Sequence, residues 1–329
     1  MSKYLFYPGC SLQRNARAYL DSTNAIRDDI NIVLEEVQDW NCCGATEYKS
    51  VYRVPSHALV GRNLALAAQQ VDGTNTLVAS CSACYLNLVK TESHMRHDAL
   101  LGSQVNKALA AGDLRYEPGT LEIRHLLDII FNDVGVDAVR EKVVRPLTGL
   151  RIAPYYGCMI VRPDPDNRYG SPEDPTAMDD LMKALGADVV YFPQKTHCCS
   201  GHMTQVSPPV AYDLIHRLVS AADQYKADLM ATLCPMCQLN LDVYQGDMNR
   251  HFKTDFQMPV LYFTQLIGLA FGYDPLELGI GKEFVSAADA LAKIGVEVPV
   301  EEDQPKRPSR RRKKKEGLPM PQMPEEKNS

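Results

Sequence analysis

The sequence predicts an α/β protein of two pseudo-symmetric halves, each a mainly parallel sheet flanked by helices. Three observations carry that expectation. Short β-like runs alternate with longer helical patterns, the same motifs occur twice at nearly constant offset, and all ten cysteines of the 329-residue chain fall within those repeated motifs. Alternating strands and helices imply parallel pairing, because parallel neighbours need a crossover long enough to hold a helix.

The repeats come first, since they decide how everything else is read. Tyr7-Pro8-Gly9-Cys10 is echoed by Tyr155-Tyr156-Gly157-Cys158, each after a short apolar run. Asn41-Cys42-Cys43-Gly44 returns as His197-Cys198-Cys199-Ser200-Gly201. Cys81-Ser82-Ala83-Cys84-Tyr85-Leu86-Asn87-Leu88 and Cys234-Pro235-Met236-Cys237-Gln238-Leu239-Asn240-Leu241 share the frame C-x-x-C-x-L-N-L. The offsets are 148, 156 and 153 residues. Each half closes on an apolar helical pattern, Ile123 to Val134 and Val260 to Phe271. Duplication explains the four matches together. The break at Pro146-Leu147-Thr148-Gly149 places the first half-domain at residues 1–147, the second at 148–285 and a C-terminal extension at 286–329.

Strands are expected at Tyr4 to Tyr7, Thr76 to Ala79, Arg151 to Tyr155, Val189 to Phe192 and Asp228 to Leu233. The clearest helices are Ser56 to Gln70, opened by a serine cap after Pro55, and Pro209 to Tyr225. Pro235 suits the first turn of a helix that follows Cys234. The cysteines then fall at strand ends and in the loops beyond them, where α/β folds place their sites.

Composition narrows the class. A hydrophobic fraction of 45% supports a globular core. Met1 to Pro8 lacks the apolar region and small-residue cleavage site of a secretory signal, so a reducing, cytoplasmic setting is expected. The longest greasy stretch, Pro259 to Phe271, is too short and too interrupted for a membrane span. Residues 306–329 carry nine Lys/Arg against three Glu, so with a net charge of −6 overall, residues 1–305 sum to −12. A body that acidic does not bind nucleic acid. From about residue 301 the composition is charged and proline-rich, and a disordered basic tail is expected.

The cysteines form two sets of five, Cys10, Cys42, Cys43, Cys81 and Cys84, then Cys158, Cys198, Cys199, Cys234 and Cys237. Core cysteines would scatter outside the repeat. Disulfides would leave a thiol over in each half and strain the adjacent pairs. Structural zinc remains the stronger rival, because four thiolates close a tetrahedron, but the fifth is then surplus. Iron–sulfur ligation uses soft thiolates, and a fifth one implies a spare ligand or a cluster whose irons are not equivalent.

Two copies of C-xn-C-C-xn-C-x-x-C, with gaps of 31 and 37 residues and then 39 and 34, resemble the cysteine-rich CCG domain and, over residues 3–275, the B subunit of the heterodisulfide reductases. The resemblance implies one non-cubane 4Fe-4S cluster on each five-cysteine set, with a disulfide cleaved between them. It also implies a small ferredoxin-like iron–sulfur subunit and a flavoprotein subunit as partners. Ser200, which sets the second glycine back to Gly201, is the departure from the pattern, together with two gaps one residue outside the usual spacing.

Reducing a disulfide takes two electrons, and a cluster normally changes by one, so duplication has a chemical purpose. Oxidation of bound sulfur, or electron relay as in the CCG subunits of respiratory dehydrogenases, fits the same two sites. No G-x-G-x-x-G loop occurs, so electrons must arrive from a partner. Lys49 and Arg53 near the first cysteine pair, and Lys195, His197 and His202 near the second, are candidates to tune the sites. His197, just before Cys198, is the candidate proton donor to a product thiolate. Gly9, Gly44, Gly157 and Gly201 are expected to let backbone approach the clusters.

Overall fold

The computed structural model describes residues 1–45, 48–162 and 168–299, so the expected basic tail and the side chain of Lys49 lie outside the described residues. Residues Met1–Pro299 form one compact body. It contains two four-stranded parallel sheets. In the first, β1 (Ser2–Tyr7), β2 (Ile32–Glu36), β3 (Thr76–Ala79) and β4 (Glu122–His125) lie in the order β2-β1-β3-β4. In the second, β5 (Arg151–Tyr155), β6 (Asp188–Val189), β7 (Leu229–Thr232) and β8 (Val260–Tyr262) lie in the order β6-β5-β7-β8. The two halves therefore share one topology, as the repeats require.

Every residue of β3 and β7 is buried, because helices cover both faces of each sheet. Among those helices, Pro208–Gln224 buries Ala211, Ile215, Leu218, Val219 and Ala222 at helical spacing and opens on proline. Arg53–Gln69 buries a continuous run from Leu64 to Ala67.

Three expectations need correction. The helix expected from Ser56 begins at Arg53, so Ser56 is no cap; its hydroxyl donates back to the Arg53 carbonyl at 2.9 Å, inside the first turn. The strand expected at Val189 to Phe192 shrinks to Asp188–Val189. Val190 still donates to Ile152, but Pro193 next lacks a donor and restricts Phe192 before it. Finally, each closing apolar pattern starts as a strand. Ile123 to His125 and Val260 to Tyr262 are β4 and β8, and the helix begins only at Leu126 and Phe263. Strands of four and three residues are too short for periodicity to separate them from the helices they run into.

The halves pack on each other along two seams. On one, helix Arg17–Ile26 lies against helix Phe263–Ala270, with Ser22 and Thr264 hydroxyls 2.7 Å apart and Tyr273 donating to Asp29 at 2.7 Å. On the other, the fully buried Asp128 accepts from Arg124 at 2.7 Å, Asn132 at 2.7 Å and, from the second half, Arg168 at 3.0 Å. Burial pushes that carboxyl up, but the bonds from Arg124 and Asn132 and the charge of Arg168 outweigh it and hold it below the usual carboxylate range. Among the described residues no helix is long and apolar enough to cross a membrane.

Candidate functional site

Because all strands of a sheet are parallel, their C-terminal ends share one edge, and the order β2-β1-β3-β4 reverses direction between β1 and β3. Such a switch point opens a crevice beyond the strand ends. β1 delivers Cys10, β2 leads to Cys42 and Cys43, and β3 runs into Cys81 and then Cys84 in the first turn of helix Ser82–His97. β5, β6 and β7 deliver Cys158, the pair Cys198 and Cys199, and Cys234 with Cys237 in the same way. Sequence-distant thiols are thereby gathered into two sets.

In the first set Cys10 and Cys42 sulfurs lie 3.3 Å apart and Cys43 and Cys84 sulfurs 3.5 Å apart, with Cys81 beside Cys84. The second repeats the pattern, with Cys158 beside Cys198 and Cys237 beside both Cys199 and Cys234. All ten thiols are free. Among the described residues no three metal-binding side chains converge as they would on a single ion. Cys10, Cys42 and Cys198 are exposed and Cys158 half-buried, whereas the other six are buried. Each set thus has an outer end open to solvent and an inner end in the core. The inner ends meet, since the Cys81 thiol of the first half and the Cys234 thiol of the second lie close enough to perturb each other's ionisation.

Matching backbone devices hold both sets. Tyr7 donates to the Asn41 carbonyl and Tyr155 to the His197 carbonyl, both at 2.7 Å, fixing the residue before each cysteine pair. Asn87 donates to the carbonyls of Cys43 at 3.3 Å and Ala45 at 2.6 Å; Asn240 does so to Cys199 at 3.0 Å and Gly201 at 2.8 Å. The asparagine of the C-x-x-C-x-L-N-L frame, to which sequence reading gave no role, is therefore a clamp on the cysteine-pair loop. Gly9 and Gly157 have φ of +71° and +70°, and a Cβ there would stand 2.9 Å from the Cys84 sulfur and 3.0 Å from the Cys237 sulfur. Only glycine lets the backbone pass so close to these thiols. Ser200 is a replacement and not an insertion: it takes φ +87° where Gly44 takes +76°, and Gly201 at +58° follows Ala45 at +48°.

Electrostatics reveals what the sets lack. Cys42 is pushed down by the bond from Cys10, and Cys198, down to about 6, by the bond from Cys158, while Cys10 and Cys158 are pushed far up by the same bonds. Cys234 is held well below the usual thiol range by Cys237 and Cys81, helped by the Met236 and Cys237 amides of its helix, whose N-terminus favours a thiolate. Ionising one thiol raises its neighbours, so five cannot ionise together without positive charge among them. Iron in a cluster supplies that charge and selects soft thiolates, and the residues fit such a group.

The other candidates fall differently. His197 is exposed and lines an open cavity of about 240 Å³ beside Cys158 and Cys198, together with Arg162 and Arg217. Lys195 is buried and engaged, 3.0 Å from Asp179 and 2.7 Å from Asp174. Arg53 pairs with Asp98 at 2.8 Å. His202 is half-buried and does interact with neighbours. Sequence reading missed His125 and Tyr262. Both end the fourth strand of their sheet, and both carry a buried polar atom that, among the described residues, meets no partner at good hydrogen-bond geometry, a situation costing about 1–3 kcal/mol unless a further group satisfies it.

Comparison with known proteins agrees with this architecture. A cysteine-rich domain model, CCG, matches residues 4–89 and again 152–242. The 8-methylmenaquinol:fumarate reductase membrane anchor subunit of Wolinella succinogenes is 34% identical over 87% of this chain and 98% of its own. The B subunit of the ferredoxin:CoB-CoM heterodisulfide reductase of Methanosarcina mazei is 28% identical over 89% and 97%. A protein of Archaeoglobus profundus named as like the heterodisulfide reductase B subunit is 29% identical over 84% and 92%. A crystal structure of a hypothetical protein from Helicobacter pylori shares the fold, with a TM-score of 0.68 at 15% identity over 87% of this chain and 52% of that one. The chain belongs to the tandem cysteine-rich CCG family, among the relatives of the heterodisulfide reductase B subunit.

Proposed function

We propose that this chain is the iron–sulfur catalytic B subunit of a heterodisulfide reductase-like complex, an oxidoreductase acting on sulfur groups. Residues 1–147 and 148–285 would each carry one non-cubane 4Fe-4S cluster, on Cys10, Cys42, Cys43, Cys81 and Cys84 and on Cys158, Cys198, Cys199, Cys234 and Cys237, with 286–329 as an extension. One observation carries the reading: two five-thiol sets abut at Cys81 and Cys234 while their outer ends, Cys10, Cys42 and Cys198, face solvent. When bound, the two clusters supply one electron each and iron able to take a sulfur ligand.

The chain itself positions and excludes. It presents open outer ends to a disulfide, CoM-S-S-CoB or an analogue, keeps the inner ends dry, and offers His197 beside Cys198 as proton donor to a leaving thiolate. Two electrons and two protons convert the disulfide to two thiols. With no dinucleotide loop of its own, the chain would take its electrons from a small ferredoxin-like iron–sulfur subunit and a flavoprotein subunit, in the cytoplasm.

The Wolinella relative favours a second reading, in which the same two sites relay electrons in a quinol-linked complex. Iron and acid-labile sulfide analysis of the reconstituted chain comes first; zinc without sulfide would sink both readings. Electron paramagnetic resonance then separates them. A new signal on adding disulfide supports the reductase, and a response to menaquinol with none to any disulfide or thiol supports the relay. His197→Gln should lower disulfide turnover while leaving iron content unchanged.

A further inference from the structure

Among the described residues, six buried polar atoms without a partner at hydrogen-bond geometry sit on residues at or beside the strand ends where the two thiol sets meet. They are the hydroxyls of Tyr19, Ser80, Ser82, Thr232 and Tyr262 and Nε2 of His125, all on residues no more than 2% exposed, and none is bonded even to a cysteine sulfur. Ser80 and Ser82 flank Cys81, and Thr232 stands two residues before Cys234, where the two sets meet. In sheet register His125 lies beside Ala79 and Tyr262 beside Thr232, so each half places a polar-edged ring at the same strand end. Tyr19 stacks on Tyr262, with centroids 4.3 Å apart and planes inclined by 10°.

The tautomer of His125 follows from the backbone. The Leu127 amide donates to its Nδ1 at 3.1 Å, so Nδ1 is an acceptor and the ring proton sits on Nε2. Burial also favours the neutral ring. Nε2–H can then only donate. The Ser80 and Leu233 carbonyls lie close to it, but among the described residues no acceptor meets it at good hydrogen-bond geometry, so a donor buried this completely leaves place for an acceptor that arrives with another group. Beside two thiol sets the acceptor at hand is sulfur, and hydrogen bonds to cluster sulfur set its potential. Reduction adds negative charge to those sulfurs, so a fixed donor stabilises the reduced form more than the oxidised one.

We propose that His125, Tyr262 and Tyr19 are positioning residues that donate hydrogen bonds to the sulfurs of the two clusters at their junction and so raise the potentials of both. This rests on the cluster reading above. The test uses the reconstituted full chain, comparing iron and sulfide per chain and then midpoint potentials by resonance-monitored redox titration. Tyr262→Phe, Tyr19→Phe and His125→Phe should keep wild-type iron and sulfide and titrate at lower potential, with His125→Gln, which retains an N–H donor, shifted less than His125→Phe. Should His125→Phe fail to take up iron, Tyr262→Phe, which deletes a single oxygen, decides. Wild-type potentials at full iron content would overturn the proposal and leave ordered water as the partner of these atoms. A wild-type chain that takes up neither iron nor sulfide would defeat the cluster reading instead.

Discussion

In the first half Tyr7 and Asn87 tie down the loop around Cys42 and Cys43, and in the second Tyr155 and Asn240 do the same around Cys198 and Cys199. Around these shared devices the surroundings differ. Pro8 in the first half stands where the second has Tyr156, whose hydroxyl donates to Asp179 in a buried pair with Lys195. Cys10 is exposed, whereas Cys158 is half-buried. His125 and Asp128 of the first half match Tyr262 and Gln265 of the second, counted from the strand register. Duplication has kept what fixes the thiols and varied what surrounds them. On the cluster reading proposed above, two equal ligand sets in unequal fields should hold unequal potentials, so that one site would take its electron before the other.

The comparison breaks most completely at the ligands. Cys42→Ser and Cys198→Ser should each abolish one cluster, roughly halving iron and sulfide per chain, and the two half-loaded proteins should differ in midpoint potential. Full iron in both variants would contradict the ligand sets, and identical potentials would contradict the inequality of the two fields.

Next comes the buried carboxylate, Asp128, that the first half has where the second has Gln265. Asp128→Asn should cost about 3 kcal/mol, the low end for a broken buried ion pair, because Arg124 keeps Asp133 and Arg168 keeps Glu122. The carboxyl is held below its unfolded value of 3.8, so its contribution is present above that pH and is lost as pH falls through the lower native value. Denaturant unfolding should show a destabilising acid limb in the wild type that Asp128→Asn lacks. A limb of equal size in both would place its origin elsewhere.

How much of this was open to sequence reading follows from the length scale of each feature. The two sets of five were legible because thiols are few and the motifs recur. So was the parallel α/β plan, through strands as short as Thr76 to Ala79. The fourth strands were not, since Glu122 to His125 and Val260 to Tyr262 are only four and three residues long and run straight into helices. With them went His125 and Tyr262, although aligning Ile123 with Val260 already sets the two opposite each other. The meeting of Cys81 with Cys234 joins residues 153 apart and depends on how two sheets pack, which no local pattern encodes.

The asparagine clamps were visible as letters of a repeated frame and became readable only with coordinates. Asn87→Ala and Asn240→Ala should each cost about 2 kcal/mol, by leaving buried loop carbonyls without a donor, and should lower iron in one set only. Equal loss from both sets in either variant would mean the clamp supports the whole body and not its own loop.

The smallest effect tests the positive-φ position that the halves fill differently. Ser200 bears a side chain at φ +87°, where a left-handed conformation costs an L-residue about 1–2 kcal/mol, partly offset by glycine's greater freedom in the unfolded chain. Ser200→Gly should therefore stabilise the metal-free protein by about 0.5 kcal/mol, even as Asn240 loses its 3.3 Å bond to the hydroxyl, because the two carbonyl bonds remain. The reverse exchange should have the opposite sign. At Gly44, with φ +76°, a Cβ would stand 2.9 Å from Leu59 Cδ2, and Gly44→Ser should cost about 1–2 kcal/mol in denaturant unfolding. If both substitutions destabilise, the serine hydroxyl outweighs the backbone strain, and the second loop is specialised for its oxygen and not merely tolerant of it.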